Sequence, residues 1–130
     1  MGPNLRVLVV DDEATIRETL GAALSKLGHT FELADSVEAA IEILDGDRFD
    51  LVITDFHLPE KNGEHLARIV KRQDGEMPVL LISGDPPDKT AGFDHLLRKP
   101  FDVDSLKAAL FEVCSRRGTT FFGEEFKSAA

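Results

Sequence analysis

The sequence predicts an α/β protein built on a doubly wound, five-stranded parallel sheet. Nearly continuous apolar runs at residues 5–10 and 51–53 are typical of strands that are buried on both faces of such a sheet. Between the runs, apolar residues recur at helical spacing, so strands and helices alternate along the chain. This alternation predicts parallel strands with helices packed on both faces.

The first half of the chain contains two strand–helix units. The first apolar run leads into a helical stripe that stops at Gly28, a common helix-terminating residue; the stripe is Ile16, Leu20, Ala23, Leu24 and Leu27. Residues 30–34 alternate around Phe31 and Leu33, which predicts a half-exposed edge strand. Ser36 is suited to cap a second helix, whose apolar stripe is Val37, Ala40, Ile41 and Leu44.

The second half supplies three more strands. The third strand ends at Asp55, and Gly63 is expected to cap the helix after it, with Leu66, Ile69 and Val70 on its inner face. Strands over residues 79–82 and roughly 94–98 follow. Asp102 is expected to cap a last helix, whose inward residues are Val103, Leu106, Leu110 and Val113.

The connection between the fourth and fifth strands is short. Only 15 residues lie between Ser83 and Lys99, and they must also contain the fifth strand. Pro86 and Pro87 fix φ and remove backbone donors, and the residue before each proline avoids the α conformation. We therefore expect the fourth helix to be short or absent, with at most one turn around residues 88–91.

Composition limits the classes of partner. The chain has 130 residues, which fits one domain. It carries 24 acidic and 15 basic residues, a formal net charge of −9. Binding to nucleic acid or to an anionic membrane requires a basic face, so we expect neither partner.

The sequence also favours a cytoplasmic location. No apolar run approaches the roughly 20 residues that a membrane span needs. No charged-then-apolar leader precedes the first strand, so export is not expected. The single Cys114 cannot form an internal disulfide, which suits a reducing compartment, and we expect it to pack beside the last helix's apolar stripe.

Polar residues follow four of the five predicted strands where each strand ends: Asp11 and Asp12, Asp55, Ser83 and Lys99. The carboxyl ends of parallel strands share one edge of the sheet, where ligands bind in open α/β folds. Three carboxylates there repel one another and raise one another's pKa unless a cation lies between them. All-oxygen ligands suit Mg²⁺. A carboxylate can attack phosphorus and form an aspartyl phosphate, with metal and lysine stabilising the charge.

These residues together resemble the receiver domain of two-component response regulators. The resemblance covers about residues 5–116, and the joint spacing is highly specific. It implies a flavodoxin-like fold with strand order 2-1-3-4-5. The residues that carry it are Asp11-Asp12, Asp55 with Pro59 and Gly63, Ser83, and Lys99-Pro100-Phe101.

The resemblance implies a role for each site residue. Asp55 would be the phosphoacceptor. Asp12 would bind Mg²⁺ directly and Asp11 mainly through water, and the backbone carbonyl of His57 would be a further metal ligand. The hydroxyl of Ser83 and the ammonium group of Lys99 would hold the phosphoryl oxygens.

Other positions would modulate the signal. In the family, the positions of His57 and Asp85 tune the lifetime of the phosphoryl group. The switch position, three residues before the lysine, is usually Tyr or Phe, and here it is Leu96. With the fourth helix reduced, we expect the usual hydroxyl-to-aromatic relay not to operate in its common form.

We assign residues 1–117 to the receiver and residues 118–130 to a C-terminal tail. The tail contains Phe121, Phe122 and Phe126. Two interpretations stay open for it: a frayed segment, or an aromatic segment that covers apolar surface beside the fifth strand or joins two copies as a homodimer.

The leading functional expectation is a phosphoacceptor rather than an enzyme. It would receive a phosphoryl group from a histidine kinase or a histidine phosphotransfer protein, and would signal to a downstream protein by contact or act as a phosphate sink. The alternative is a pseudo-receiver that binds partners without phosphorylation.

Two other classes fit less well. An aspartyl-phosphate phosphatase of the haloacid dehalogenase type carries a second Asp two residues after the nucleophile, where this chain has His57. A flavin-binding flavodoxin relative needs a phosphate loop after the first strand. The acidic residues 11–13 would repel a phosphate there.

Overall fold

The computed structural model describes residues 4–87 and 92–117. Within them the chain forms five strands and four helices. In chain order these are β1 Arg6–Val10, α1 Ala14–Lys26, β2 Thr30–Ala34, α2 Val37–Gly46, β3 Leu51–Asp55, α3 Gly63–Gln73, β4 Val79–Ser83, β5 His95–Arg98 and α4 Val103–Arg117.

The strands form one parallel sheet with the order β2-β1-β3-β4-β5, which confirms the predicted fold. Every residue of β3 and β4 is buried, as expected of apolar runs covered on both faces. β2 lies at an edge and is largely exposed, and its Leu33 is 37% exposed. The half-exposed edge strand was therefore predicted correctly.

Helices cover both faces of the sheet and create two cores. On one face α1 and α4 pack against the strands, through residues such as Leu20, Leu24, Leu106 and Leu110. On the other face α2 and α3 do so, through Val37, Ala40, Leu66 and Val70. Cys114 is buried in the first core, as its position beside the apolar stripe predicted.

Helix caps agree with the sequence at two of three sites. The Ser36 hydroxyl accepts a hydrogen bond from Ala39 N, and the Asp102 carboxylate accepts one from Ser105 N. The expected cap at Gly63 is wrong, because Asn62 caps α3 by accepting from His65 N. An amide oxygen can accept this hydrogen bond, whereas glycine has no side chain to do so.

The connection from β4 to β5 lacks a full crossover helix, as predicted. The described residues of this connection, 84–87 and 92–94, are not helical, and the single turn expected around residues 88–91 lies outside the described part. Instead, a polar cluster secures the start of β5. Asp94 Oδ2 accepts hydrogen bonds from Val79 N at 2.7 Å and from Lys71 Nζ at 2.8 Å.

Similar side-chain bonds anchor the amino ends of other strands. Leu5 N donates to Nδ1 of the buried His29 at 3.1 Å, and Arg6 N donates to Asp50 Oδ2 at 2.9 Å. Burying a backbone N–H without a partner is costly, so these contacts stabilise the points where strands enter the sheet.

Among the described residues, no helix combines the length and apolarity that a membrane crossing requires.

Candidate functional site

Four neighbouring strands deliver polar residues to the carboxyl edge of the sheet. Asp11 and Asp12 directly follow β1, Asp55 ends β3, Ser83 ends β4, and Lys99 directly follows β5. Since β1, β3, β4 and β5 are consecutive in the sheet, the structure brings all five residues to one side of the molecule. We call this group the acidic pocket.

Three carboxylates converge in the acidic pocket. Asp11, Asp12 and Asp55 each contribute an oxygen, and these oxygens all lie within 4.8 Å of one another. Asp11 and Asp55 are buried, whereas Asp12 is exposed at the mouth. The three side chains therefore offer hard oxygen ligands around a single point that is open to solvent on one side.

Asp11 is held firmly by its surroundings. Its carboxylate accepts hydrogen bonds from Glu13 N at 2.9 Å and from Lys99 Nζ at 3.2 Å. Its backbone N donates to Ala34 O at 3.1 Å, and its backbone O accepts from Arg17 Nη1 at 2.7 Å. The first strand, its neighbour β2 and helix α1 thus all fix its position.

Lys99 places its ammonium group among three carboxylates. Its Nζ lies 3.2 Å from Asp11, 3.6 Å from Asp55 Oδ1 and 3.7 Å from Glu13 Oε1. Lys99 N donates to Ser83 O at 3.1 Å, which ties the residue to the end of β4. The side chain is only 17% exposed, so its charge is poorly screened by water.

Burial dominates the titration of the pocket carboxylates. It raises the pKa of Asp55, and the charge of Asp11 adds to the rise, while Lys99 opposes it. Burial also raises the pKa of Asp11, although the Glu13 N–H and Lys99 offset part of the effect. The sequence predicted repulsion as the cause, whereas here desolvation comes first and repulsion second.

Lys99 stays protonated despite its burial. Desolvation alone would lower its pKa, but the charges of Asp11, Asp55 and Glu13, with the hydrogen bond to Asp11, outweigh that effect and raise the pKa. The pocket thus combines carboxylates that resist ionisation with a cation that resists deprotonation. Several shifted pKa values in one cleft are typical of functional sites.

A close backbone approach positions Asp55. Gly63 N donates to Phe56 O at 2.8 Å, which closes the loop between β3 and α3. A Cβ atom at Gly63 would lie 2.4 Å from Asp55 O. Only glycine fits at this distance, so Gly63 is needed for space beside the end of β3 rather than for capping.

Comparison with known proteins identifies the fold family. A family model described as the response regulator receiver domain matches residues 7–111. The chain belongs to this family.

Curated relatives of this receiver include longer regulators. The chain is 36% identical over 120 residues to the transcriptional regulatory protein TcrA of Mycobacterium tuberculosis, covering 88% of this chain and 47% of that protein. It is 33% identical over 113 residues to the response regulator MprA of Mycobacterium ulcerans, covering 82% of this chain and 49% of that protein. The chain spans about half the length of these curated relatives.

Solved receivers have the same architecture. The chemotaxis response regulator CheY4 of Vibrio cholerae matches with a TM-score of 0.78 and 27% identity, over 85% of this chain and 99% of that one. The receiver domain of an HD domain-containing protein from Pseudomonas fluorescens Pf-5 matches with a TM-score of 0.81 and 28% identity, over 91% and 92% of the two chains.

The predicted site residues differ in exposure. Ser83 is buried at the end of β4, and its Oγ accepts a hydrogen bond from Asp85 N at 3.2 Å. Asp85 itself is exposed, as is His57. The ring of His57 contacts Phe56 edge-on, with 5.1 Å between centroids.

The switch position does not join the acidic pocket. Leu96 lies within β5, half-buried and paired in register with Leu81 of β4. It points to the opposite face from Leu97, which packs in the core under α4. Leu96 therefore lies on the α3 side, where the crossover helix is missing from the described residues.

Sequence reasoning missed two participants in the pocket. Glu13 is the third carboxylate near Lys99, and Arg17 donates a hydrogen bond to the backbone O of Asp11. The run of three acidic residues after β1 was a signal for Glu13. Arg17 lies one helical turn further on, and no local pattern predicts that it reaches back to a backbone carbonyl.

Proposed function

We propose that this receiver accepts a phosphoryl group on Asp55 from a histidine kinase or a histidine phosphotransfer protein. The observation that carries the proposal is the position of Lys99, with Nζ 3.6 Å from Asp55 Oδ1 and 3.2 Å from Asp11 Oδ2. A fixed cation beside a buried carboxylate can neutralise the oxygens of an incoming phosphoryl group.

The chemistry requires one bond to form and one to break. A carboxylate oxygen of Asp55 attacks phosphorus, and the bond from phosphorus to the donor histidine nitrogen breaks, leaving a neutral imidazole once a proton is taken up. Lys99 stabilises the negative charge on the transferred group, and the Ser83 hydroxyl donates a hydrogen bond to a phosphoryl oxygen. The product is an aspartyl phosphate.

The carboxylates fit a Mg²⁺ ion. Oxygens of Asp11, Asp12 and Asp55 lie within 4.8 Å of one another, and hard oxygen donors with a solvent-open side suit this ion. We assign Asp12, Asp55 and the His57 backbone carbonyl as direct ligands, with Asp11 acting mainly through water. The ion would supply charge neutralisation for the phosphoryl oxygens.

Two exposed side chains follow the site residues Asp55 and Ser83 closely in sequence. His57 and Asp85 lie two residues after Asp55 and Ser83. We propose that they set the lifetime of the aspartyl phosphate. Residues 1–117 form the phosphorylated unit, which signals to a downstream protein by contact or serves as a phosphate sink.

A mass measurement tests the proposal. The protein is incubated with Mg²⁺ and acetyl phosphate, and an acid-stable, base-labile phosphoryl adduct is expected. Asp55→Asn should remove the adduct completely, because the amide cannot act as the nucleophile and Asp55 is the buried carboxylate within 3.6 Å of Lys99 Nζ that ends β3. Asp45→Asn, a matched change at an exposed position of α2, should leave it intact. Absence of the adduct from the unmodified chain would overturn the assignment.

A second candidate is a phosphorylation-independent interaction module. The observation that favours it is the altered output side, where Leu96 occupies the switch position and residues 84–87 and 92–94 form no helix. Amide NMR spectra with beryllofluoride separate the two functions. A phosphorylation-dependent receiver should change its shifts around Leu96 and Phe93, whereas an interaction module should change only in the acidic pocket.

A further inference from the structure

Lys99 contacts one carboxylate that the proposed function does not use. Glu13 Oε1 lies 3.7 Å from Lys99 Nζ, and the Glu13 side chain is 62% exposed. The other two carboxylates near Lys99 belong to Asp11 and Asp55, whose side chains are only 1% and 8% exposed. Of these three carboxylates, Glu13 is therefore the one that a dissolved molecule approaching Lys99 meets first.

The backbone of Glu13, rather than its side chain, serves the structure. Glu13 occupies the N-cap position of α1, but its side chain makes no capping hydrogen bond, and glutamate is not among the residues preferred there. Glu13 N donates to Asp11 Oδ1 at 2.9 Å. Glu13 O accepts from Ile16 N and Arg17 N, each at 3.1 Å. The side chain can therefore be changed without removing these backbone contacts.

The Glu13 carboxylate opposes a phosphoryl donor in two ways. It neutralises part of the charge of Lys99, which affects every donor alike because the transferred phosphoryl group is the same. It also repels the donor as a whole, and this repulsion grows with the net negative charge of the donor. One unit charge at about 6 Å in water changes a rate about three-fold, so a dianion is disfavoured about three-fold more than a monoanion.

We propose that Glu13 is a specificity-determining residue, which biases Asp55 against dianionic acyl phosphates and toward donors whose phosphorus is bonded to nitrogen. A protonated nitrogen leaving group removes one negative charge from the donor, as in phosphoramidate, or in phosphohistidine when its ring is protonated. Acetyl phosphate has no such group. This inference rests on the proposed function, since it concerns which donor phosphorylates the same carboxylate.

The same bond forms with either kind of donor, because an oxygen of Asp55 attacks phosphorus in both cases. With acetyl phosphate, the bond from phosphorus to the acetyl oxygen breaks and acetate leaves. With phosphoramidate, the bond from phosphorus to nitrogen breaks and ammonia leaves with the protons that it already carries. Since the product is identical, the ratio of the two rates isolates the effect of donor charge. A merely structural change in the acidic pocket would shift both rates by one factor.

Initial rates of adduct formation, measured by intact mass, test the proposal. The full chain is incubated with saturating Mg²⁺ at pH 7 and low salt, either with acetyl phosphate, a dianion at this pH, or with phosphoramidate, mainly a monoanion. Glu13→Gln should raise both rates, and should raise the ratio of the acetyl phosphate rate to the phosphoramidate rate about three-fold. Salt at about 1 M, where the Debye length is about 3 Å, should reduce that rise in the ratio.

Two control variants complete the test. Glu13→Asp keeps the charge and should leave the ratio near that of the unmodified chain. Glu42→Gln makes the same charge change on the exposed surface of α2, on the other face of the sheet, and should change neither rate.

The outcomes separate this inference from the proposed function. An unchanged or lower ratio in Glu13→Gln would overturn the role of Glu13, while phosphorylation of Asp55 would stand because the adduct still forms. No adduct on the unmodified chain with either donor would instead overturn the proposed function, and the role of Glu13 with it.

Discussion

The two ends of the sheet are built on opposite principles. At the amino end, polar side chains satisfy backbone groups: His29 accepts from Leu5 N, and Asp94 accepts from Val79 N and Lys71. At the carboxyl end, Asp11 and Asp55 are buried together, and the pKa of each is raised above its usual value by burial. The contacts at the amino end stabilise the fold. The buried carboxylates at the carboxyl end are electrostatically unfavourable, and a bound cation would relieve that cost.

This contrast explains why the pocket does not depend on a crossover helix between β4 and β5, where the described residues 84–87 and 92–94 form none. The acidic pocket depends on where β1, β3, β4 and β5 end, and none of its members comes from the connection between β4 and β5. That connection is instead held at the amino end of the sheet by the hydrogen bonds of Asp94. The acidic pocket and the β4–β5 connection are therefore structurally separable.

Gly63→Ala should have the largest effect, because it forces an atom to within 2.4 Å of Asp55 O. We expect a loss of about 2–3 kcal/mol in the free energy of unfolding, measured in urea, together with a reduced yield of phosphoryl adduct. Gly46→Ala in α2 is the control, since an added Cβ there meets nothing within 4 Å. Equal stability of the two variants would contradict the proposed close approach.

Asp94→Ala should destabilise the amino end by about 1–2 kcal/mol, because Val79 N loses its acceptor and Lys71 loses its ion pair while keeping the hydrogen bond to Met77 O. Asp94→Asn keeps an oxygen for Val79 N and should cost less. Urea unfolding measures both. If the adduct at Asp55 still forms at normal yield in folded Asp94→Ala, the two ends of the sheet are independent. A reduced adduct yield in the folded variant would contradict that independence.

Asp55→Asn should stabilise the protein without Mg²⁺, by on the order of 1 kcal/mol at pH 7.5. A raised folded-state pKa means that the ionised carboxylate opposes folding once the pH exceeds its unfolded value. The gain should therefore become much smaller near pH 3.5, where Asp55 is largely protonated in both states. Thermal melts in EDTA at the two pH values measure this. If Asp55→Asn is less stable than the unmodified chain at pH 7.5, the ionised Asp55 carboxylate does not oppose folding.

The smallest effect concerns His29, whose pKa is lowered by burial. Its Nδ1 accepts from Leu5 N, so the neutral ring carries its proton on Nε2. As the pH falls below 6.5, the ordinary pKa of histidine, the unfolded state takes up a proton that the folded state resists, and stability is lost.

His29→Asn retains an acceptor but cannot titrate, so its stability relative to the unmodified chain should improve from pH 7.5 to pH 5.5. The change should stay below about 1.4 kcal/mol per pH unit. Urea unfolding at both pH values measures it, and His57→Asn, an exposed ring, serves as the control. A constant difference between the chains would mean that His29 does not contribute to the pH dependence.

The sequence predicted the strand ends well because they follow from periodicity. Once the apolar runs are placed in a parallel sheet, Asp11, Asp55 and Ser83 must meet at one edge. The two adjacent prolines also predicted the lost crossover helix, because proline constrains its own backbone and that of its neighbour.

Contacts between distant side chains could not be predicted in the same way. Lys71 and Asp94 are 23 positions apart, and their pairing depends on how α3 lies over the start of β4. The reason for Gly63 also lies in three dimensions, in its distance from Asp55 O. Burial as the main cause of the raised pKa values depends on the packed helices around the pocket, which spacing alone does not describe.

The short connection between β4 and β5 has a consequence for folding kinetics. Leu80 pairs with His95, 15 positions away, whereas Val52 and Val79 are 27 apart and Val7 and Leu51 are 44 apart. Loop-closure entropy grows with loop length, so the β4–β5 pair costs about 0.5 kcal/mol less to close than the β3–β4 pair. The short connection thus makes the β4–β5 pair the most local in the sheet. Because local contacts form fastest, this pair is expected to form early in folding.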